Sequence, residues 1–456
     1  MRRATIAGGV FAVLVLLALA LALAAGRRVL EQDADPVAAA SPANAPSTAA
    51  VAAEEAHNGF LYGRVTTDDG ATYEGRLRFG SGEEGFWGDY FNGFKDDNPW
   101  AAHVPPEELK ERRPLEVFGI EITQREGQIE LGRPFMARFG DIARIEPREG
   151  RVLRVILKSG TVFDLDRFAA DDFADGVRVW DDGRGVVDLK ERQMRTLELL
   201  PTPRLGAAPS RLHGTVRTPQ GDFTGFLQWN REECVGSDQL EGRTSDGKLS
   251  LRFDAIGSIA RNARDGALVT LLDGRDIVLS DTRHVSRENR GIYVDDERYG
   301  RVLISWDAFE RVDFSPGPGG SGPAYDDFPP GRPLSGSVAS RAGHRYAGRL
   351  VYDLDESETT ETLDAPYQGV NYTIPFGLVA SIVLPGREES GAELARVILH
   401  DGEELQLERT GDLGEGNAGM LIFVEGRERP EYVPWADVEE VHLDRPPAMY
   451  PPVGGP

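Results

Sequence analysis

Several stretches of the chain combine residue types at spacings that could do chemistry. GRTSDGKLS (242–250) sets Gly242, Gly247 and Lys248 as a phosphate-binding loop would, where backbone N–H groups and a lysine cradle phosphate oxygens. Leu249 stands where that loop needs a hydroxyl for magnesium, and a strand pattern follows where a helix N-terminus is required, so the stretch reads as a turn. GEGNAG (414–419) has the glycine spacing of a dinucleotide loop, but the MLIFVEG after it is strand-like and the related SRENRG (286–291) keeps only the last glycine. The acidic clusters DLDESE (353–358) and DDE (295–297) carry carboxylates suited to calcium. They lack the ordered D-x-D-x-D-G loop, so calcium is a secondary expectation and no cofactor is assigned.

GFWGDYFNGFKDDNPW (85–100) is different in kind. It sets Phe86, Trp87, Tyr90, Phe91, Phe94 and Trp100 among Gly, Asn and Asp. Large rings on a Gly-rich segment can stack on sugars or anchor a protein interface; the competing reading is that they pack against the chain itself. These six are the candidate ligand- or partner-binding residues.

Other chemistries find no support. The histidines at 57, 103, 213, 284, 344, 400 and 442 form no H-x-H or H-E-x-x-H group, so no metal ligands are assigned. Cys234, the single cysteine, can form no intramolecular disulfide and has no neighbouring histidine to activate it, so no catalytic residue is assigned. With 75 acidic against 51 basic residues and a net charge of −24, the surface repels polyanions and nucleic acid is not an expected partner.

The elements that must position these residues repeat. LYGRVTTDDGATYEGRLRF from Leu61, LHGTVRTPQGDFTGFLQW from Leu212 and LSGSVASRAGHRYAGRLVY from Leu334 share a glycine pair seven apart: Gly63 and Gly70, Gly214 and Gly221, Gly336 and Gly343. A further glycine follows at 75, 225 or 348, and alternating apolar residues around a Gly-containing turn predict a β-hairpin. ARFGDIARI, LRFDAIGSI and IPFGLVASI then place apolar residues at equal offsets, followed by hairpins turning at Ser-Gly or Asp-Gly. Phe139 to Gly160 and Phe253 to Gly274 are both 21 residues, which predicts three repeats. From Trp229 to Phe253 and from Tyr352 to Phe376 are 24 residues, but from Phe79 to Phe139 are 60, so the first repeat holds an insert.

A second symmetry lies inside the repeats: GRVLISWDAFERVDF and EYVPWADVEEVHL space Trp306, Phe309, Val312 and Trp435, Val438, Val441 by three, as a strand, a 3₁₀ turn and a strand would. These phrases, with a Gly-turn hairpin and an acidic middle, resemble the last strands of SH3-like and Sm-like small β-barrels. The resemblance implies an all-β fold in which each of three homologous repeats is one or two small barrels. It names no functional family, and Glu191 replaces the tryptophan in the first repeat.

The termini read differently. Arg2 and Arg3 precede uncharged, mainly apolar residues from Ala4 to Ala25, and about 22 residues at 1.5 Å each span about 33 Å, enough to cross a bilayer. The resulting division is 1–28 signal-anchor or signal peptide, 29–58 Ala/Pro-rich disordered tether, 59–202 first β repeat with the aromatic insert at 80–118, 209–314 second repeat, 315–333 Gly/Pro linker, 334–444 third repeat and 445–456 disordered tail. The expected location is the bacterial cell envelope, single-pass anchored with the C-terminal part exported, or secreted or periplasmic after cleavage.

Repetition without a repeated catalytic constellation suits multivalent binding. The expected function is therefore a non-catalytic, envelope-associated interaction or scaffold protein, attached to the membrane by the N-terminal helix and holding a protein or glycan partner. The alternatives are a carbohydrate- or peptidoglycan-binding protein using the aromatic insert and a hydrolase whose carboxylates meet only in the fold.

Overall fold

VLRVIL (152–157) buries Leu153, Val155 and Leu157 and leaves the residues between them half-exposed, the period-two signature of a strand with one face on a core. The same alternation builds most of the molecule, which is all-β with several sheets. The computed structural model describes residues 57–446 except 81–84, 96, 109, 118–119, 129–131, 168–169, 204, 206–208, 264, 319–320 and 387–393. The N-terminal apolar run, the tether and the tail beyond 446 lie outside the described residues. Among the described residues no helix is long and apolar enough to cross a membrane.

The first part of the chain forms β1 (Tyr62–Thr67), β2 (Thr72–Phe79), β3 (Tyr90–Lys95), β4 (Lys110–Val117), β5 (Ile120–Gln128), β6 (Arg133–Arg138), β7 (Ile142–Pro147), β8 (Val152–Leu157), β9 (Val162–Asp166), β10 (Val177–Asp181), β11 (Gly185–Leu189) and β12 (Met194–Leu199). The second forms β13 (His213–Thr218), β14 (Gly221–Gln228), β15 (Gln239–Thr244), β16 (Gly247–Arg252), β17 (Ile256–Arg261), β18 (Gly266–Leu271), β19 (Asp276–Ser280), β20 (Ile292–Asp296), β21 (Gly300–Ile304) and β22 (Arg311–Phe314). The third forms β23 (Ser335–Ser340), β24 (Arg345–Val351), β25 (Thr362–Tyr367), β26 (Val370–Pro375), β27 (Val379–Val383), β28 (Leu394–Leu399), β29 (Glu404–Glu408), β30 (Met420–Phe423), β31 (Glu431–Val433) and β32 (Val438–Leu443).

Each part lays its strands down in one order. The first runs β9-β8-β7-β12-β1-β2-β10-β11, the third β29-β28-β27-β32-β23-β24-β30-β31, and the second contains β19-β18-β17-β22-β13-β14-β20-β21. The phrases with apolar residues three apart supply single 3₁₀ turns between strands at Phe139–Asp141, Glu191–Gln193, Phe253–Ala255, Phe376–Leu378 and Trp435–Asp437; the Trp306 phrase, expected to do the same, instead makes a turn in which Ala308 and Phe309 N–H both donate to the Ser305 carbonyl. Hairpin β15–β16 joins the second sheet through Arg243 opposite Ser280. Hairpin β25–β26 instead crosses to pair with β21, so one twelve-stranded sheet runs through the second and third parts. In the first part the equivalent strands β3 and β6 pair with each other, and β4–β5 forms a separate two-stranded hairpin. The extra chain therefore lies between Lys95 and Arg133, and the rings from Phe86 to Phe94 sit at or beside a strand common to all three parts.

The recurring glycines have two roles. The middle one serves the turn in the first and third phrases, with φ of +83° at Gly70 and +80° at Gly343, while Gly221 opens β14 opposite Thr218. The outer two face each other across the hairpin, Gly63 opposite Gly75, Gly214 opposite Gly225 and Gly336 opposite Gly348. A methyl at Gly225 would sit 1.8 Å from the Asp295 carbonyl oxygen of β20, and one at Gly75 1.9 Å from the Trp180 oxygen of β10. The glycines are what lets the hairpin approach its neighbouring strands. Gly225→Ala is therefore expected to destabilise the protein by about 3 kcal/mol in urea titration, the upper end for overpacking, because the obstacle is backbone.

Among its described residues, the 315–333 stretch is anchored at Ser321, Tyr325 and Phe328. Tyr325 and Phe328 join the core of the first part, and Tyr325 Oη donates to the Ile142 carbonyl at 2.9 Å. Lys158 Nζ donates to the carbonyls of Tyr325 and Phe328 at 2.6 and 2.9 Å. Ser321 is fully buried and accepts from Gly59 N–H at 3.0 Å.

Candidate functional site

The six candidate rings divide by depth. Phe86, Trp87 and Phe91 are fully enclosed, while Tyr90, Phe94 and Trp100 are half-buried. Their neighbours come from all three parts of the chain. Phe86 packs with Phe60, Cys234 and Val235. Trp87 lies 4.6 Å from the Tyr325 ring, and its Nε1–H donates to the Asn58 carbonyl and Thr202 Oγ1. Phe91 meets Phe79 and Phe139. Trp100, on the 3₁₀ turn Pro99–His103, stands edge-on to Phe423 at 6.0 Å with the Arg349 guanidinium 5.3 Å from its ring.

The rings frame a buried ionic network. Asp89 Oδ1 accepts from Arg301 at 2.8 Å and from Gln228 at 2.9 Å, and Asp295 accepts from Arg301 at 2.7 Å and Arg211 at 2.6 Å. Arg211 also lies over the Phe86 ring at 4.2 Å, and Arg301 is 5.2 Å from Tyr90. Burial opposes both charges of the Arg301–Asp295 pair, yet each outweighs that cost for the other: the carboxyl is held below its ordinary range and the guanidinium above its own. Asp89 also caps the turn before it, accepting Phe86 N–H at 3.0 Å. Asp238 does the same for Cys234 and Val235, and Glu361 for Ser357 and Glu358, so one carboxylate pins this turn in every part.

A second pin recurs in two parts. Asn289 accepts Gly291 N–H and donates to the His284 carbonyl; Asn417 accepts Gly419 N–H and donates to the Asp412 carbonyl, each bond 2.8 to 3.1 Å. Within GEGNAG the chemistry is therefore an asparagine-pinned turn ahead of β30. Asn417→Ala leaves the buried Gly419 N–H without its acceptor, while the Asp412 carbonyl keeps the Tyr352 hydroxyl, and a loss of about 1–3 kcal/mol is expected by thermal or urea unfolding.

Around these pins the second and third parts carry different charges. The second has Asn230, Glu233 and His284, with His284 Nε2 3.4 Å from Glu233 Oε1, and burial pushes the Glu233 carboxyl up to about 8. The equivalent positions of the third are Asp353, Glu356 and Asp412. Its compensating cations come from the first part: Lys95 Nζ lies 2.5 Å from Asp355 and 3.7 Å from Glu361, and Arg133 lies 3.7 Å from Asp353. Burial raises Asp353 to about 6 and Glu361 to about 7, each partly offset by a nearby cation. Burial and the neighbouring acids hold Glu356 and Asp412 well above the usual carboxylate range. DLDESE thus forms the acidic half of a junction, with Asn98 donating to the Leu354 carbonyl at 2.8 Å beside it. Among the described residues no group of three or more His, Cys, Asp or Glu side chains is arranged to hold a metal ion.

Two other sequence candidates resolve into backbone. GRTSDGKLS is the hairpin turn between β15 and β16, with Thr244 opposite Gly247 and Lys248 opposite Arg243. Cys234 is buried beside Phe60 and Phe86, and its N–H is held by Asp238. The charged residues of the junctions, Asp89, Lys95, Arg133, Arg211 and Arg301, carried no motif. The legible trace was local: in YVDDERYGRVLI a tight turn sets Asp295 opposite Arg301 in strands otherwise made for a core.

No family model matches the chain, and no curated protein matches it. Among solved structures, the chain is similar to selenomethionine-substituted virginiamycin B lyase from Staphylococcus aureus at 8% identity, over 78% of this chain and 99% of that one, with a TM-score of 0.10. A likeness of that size carries no argument about fold or function.

Proposed function

We propose that the chain is a non-catalytic interaction or scaffold protein of the cell envelope. In this reading it is built from three homologous β units, resembling small SH3-like barrels, and tethered through its N-terminal apolar run. The observation that carries the reading is the strand order laid down three times over, with different charged groups around the recurring turn pins of each copy. A repeated frame with unrepeated side-chain chemistry suits a body that presents surfaces. The enclosed rings and the two ionic junctions support it, because they join the parts of the chain to one another.

The test is in-cell cross-linking followed by capture of the full chain. The expected result is one protein recovered reproducibly and in constant ratio; repeated recovery of the chain alone contradicts the proposal. The glycan alternative draws on the half-buried Trp100, whose ring already borders Arg349 and Phe423. It predicts retention on cell-wall polysaccharide that Trp100→Ala abolishes. The hydrolase alternative draws on Asp353 and Glu361, whose raised pKa values are of the kind acid–base catalysis uses, but these acids face Lys95 and Arg133 in a closed junction.

A further inference from the structure

Two strand edges of the protein match each other. In the twelve-stranded sheet β26 lies along β21 with Arg301 opposite Thr373, Val302 opposite Tyr372 and Leu303 opposite Asn371. The counterpart of β21 in the first part is β11: Ile292 faces Ile304 and Asp296 faces Gly300 in one hairpin, Val177 faces Leu189 and Asp181 faces Gly185 in the other. The counterpart of β26 in the second part is β16, since Tyr367 faces Val370 and Thr362 faces Pro375 as Thr244 faces Gly247 and Gln239 faces Arg252. Both β11 and β16 are terminal strands of their sheets, and such edges offer unused backbone donors and acceptors. They are open to solvent: Val186 is 57% exposed, the Asp188 side chain 67%, and Lys248 and Ser250 are exposed.

Copying the β21–β26 register onto the free edges sets Val186 opposite Ser250, Val187 opposite Leu249 and Asp188 opposite Lys248. The match is an apolar pair beside a pair of opposite charge, the combination that stabilises neighbouring strands, with Lys248 adding a second cation to the Asp188 carboxylate that Arg178 of β10 already holds at 2.6 and 2.9 Å. Val187 and Leu249 each rest half-buried on their own cores. In the existing junction Tyr372 packs on Phe223 and Tyr299 at 6.0 and 5.6 Å. The position of Phe223 is filled in the first part by Tyr73, a ring available to Leu249, beneath the Arg184 guanidinium.

We propose that β16 of one copy adds to β11 of a second copy, so that the chain associates head to tail with itself. The two edges differ, so the contact is heterologous and repeats into a ring or a filament according to its rotation. This goes beyond the scaffold reading, since it needs no other protein and can fail while a foreign partner is still captured.

The test uses disulfide trapping in the full-length chain, where the sole native cysteine, Cys234, is buried. A chain carrying Val186→Cys and Ser250→Cys is expected to give a reducible ladder of dimers and larger species under mild oxidation. Mixing chains that each carry one of the two gives dimers only. Adding Lys248→Glu to the doubly substituted chain is expected to remove the ladder, and Lys248→Arg, which keeps the charge, to leave it in place. Absence of a ladder, a disulfide closed within one chain, or a ladder indifferent to Lys248→Glu would overturn the proposal.

Discussion

Arg301→Met is expected to destabilise the protein by about 3–5 kcal/mol, the cost of leaving buried charges without their partner. Arg301 is the shared donor to Asp89 of the first part and Asp295 of the second. Its loss leaves Arg211 alone to serve both, at 2.6 Å from Asp295 but 3.8 Å from Asp89. Asp89 is the more affected by that loss, its carboxylate keeping hydrogen bonds from Gln228 and the Phe86 N–H and only the distant Arg211 as a cation. Adding Asp89→Asn should recover part of the stability, since it removes a stranded charge while retaining an oxygen for Phe86 N–H. Urea titration of the single and double variants checks this; equal stability of Arg301→Met and the parent would contradict it.

Lys95→Met is the second large effect, and its sign depends on pH. Asp353 and Glu361 titrate near 6 and 7 in the fold, against about 4 in an unfolded chain. Groups raised in this way favour the fold below about pH 4, and that contribution is lost as the pH climbs through 6 and 7. The parent junction therefore weakens between pH 5 and pH 8, with Lys95 opposing the loss from 2.5 Å away at Asp355. Without Lys95 the penalty at pH 8 should reach about 3–5 kcal/mol, and it should shrink at pH 5, where the acids take up protons. Denaturant midpoints of both proteins at the two pH values test this. A variant equally weakened at pH 5 and pH 8 would show that the charge balance is not what Lys95 supplies.

The all-β class and the hairpins were legible because strand alternation and turn residues are local signals. Leu153, Val155 and Leu157 announce a buried face without knowledge of their neighbours. The glycine spacing was legible too, but its cause was not: only pairing shows that Gly214 faces Gly225 and that Gly225 meets the Asp295 carbonyl. The aromatic run was visible as a cluster, yet burial depends on what arrives from elsewhere, and Phe60, Val235 and Tyr325 arrive from three separate stretches. The 315–333 stretch reads as a linker from its glycines and prolines, whereas Tyr325 and Phe328 are long-range anchors whose partner, Lys158, is more than 160 residues away. The charge pairs Asp89–Arg301 and Lys95–Asp355 span longer separations still. Attraction between side chains leaves no periodic trace, so a reading by pattern passes over them.

The central claim is that the conspicuous chemistry of this chain, its rings and buried charges, holds three β parts together as one body. It is tested most directly by following unfolding through hydrogen exchange resolved along the sequence, in the parent and in the Lys95→Met, Arg301→Met double variant. The claim predicts that residues 62–199, 213–314 and 335–443 of the parent exchange through one shared opening, and that in the double variant the first part opens at lower denaturant than the other two. Independent opening of the three parts in the parent, or an unchanged pattern in the variant, would contradict it.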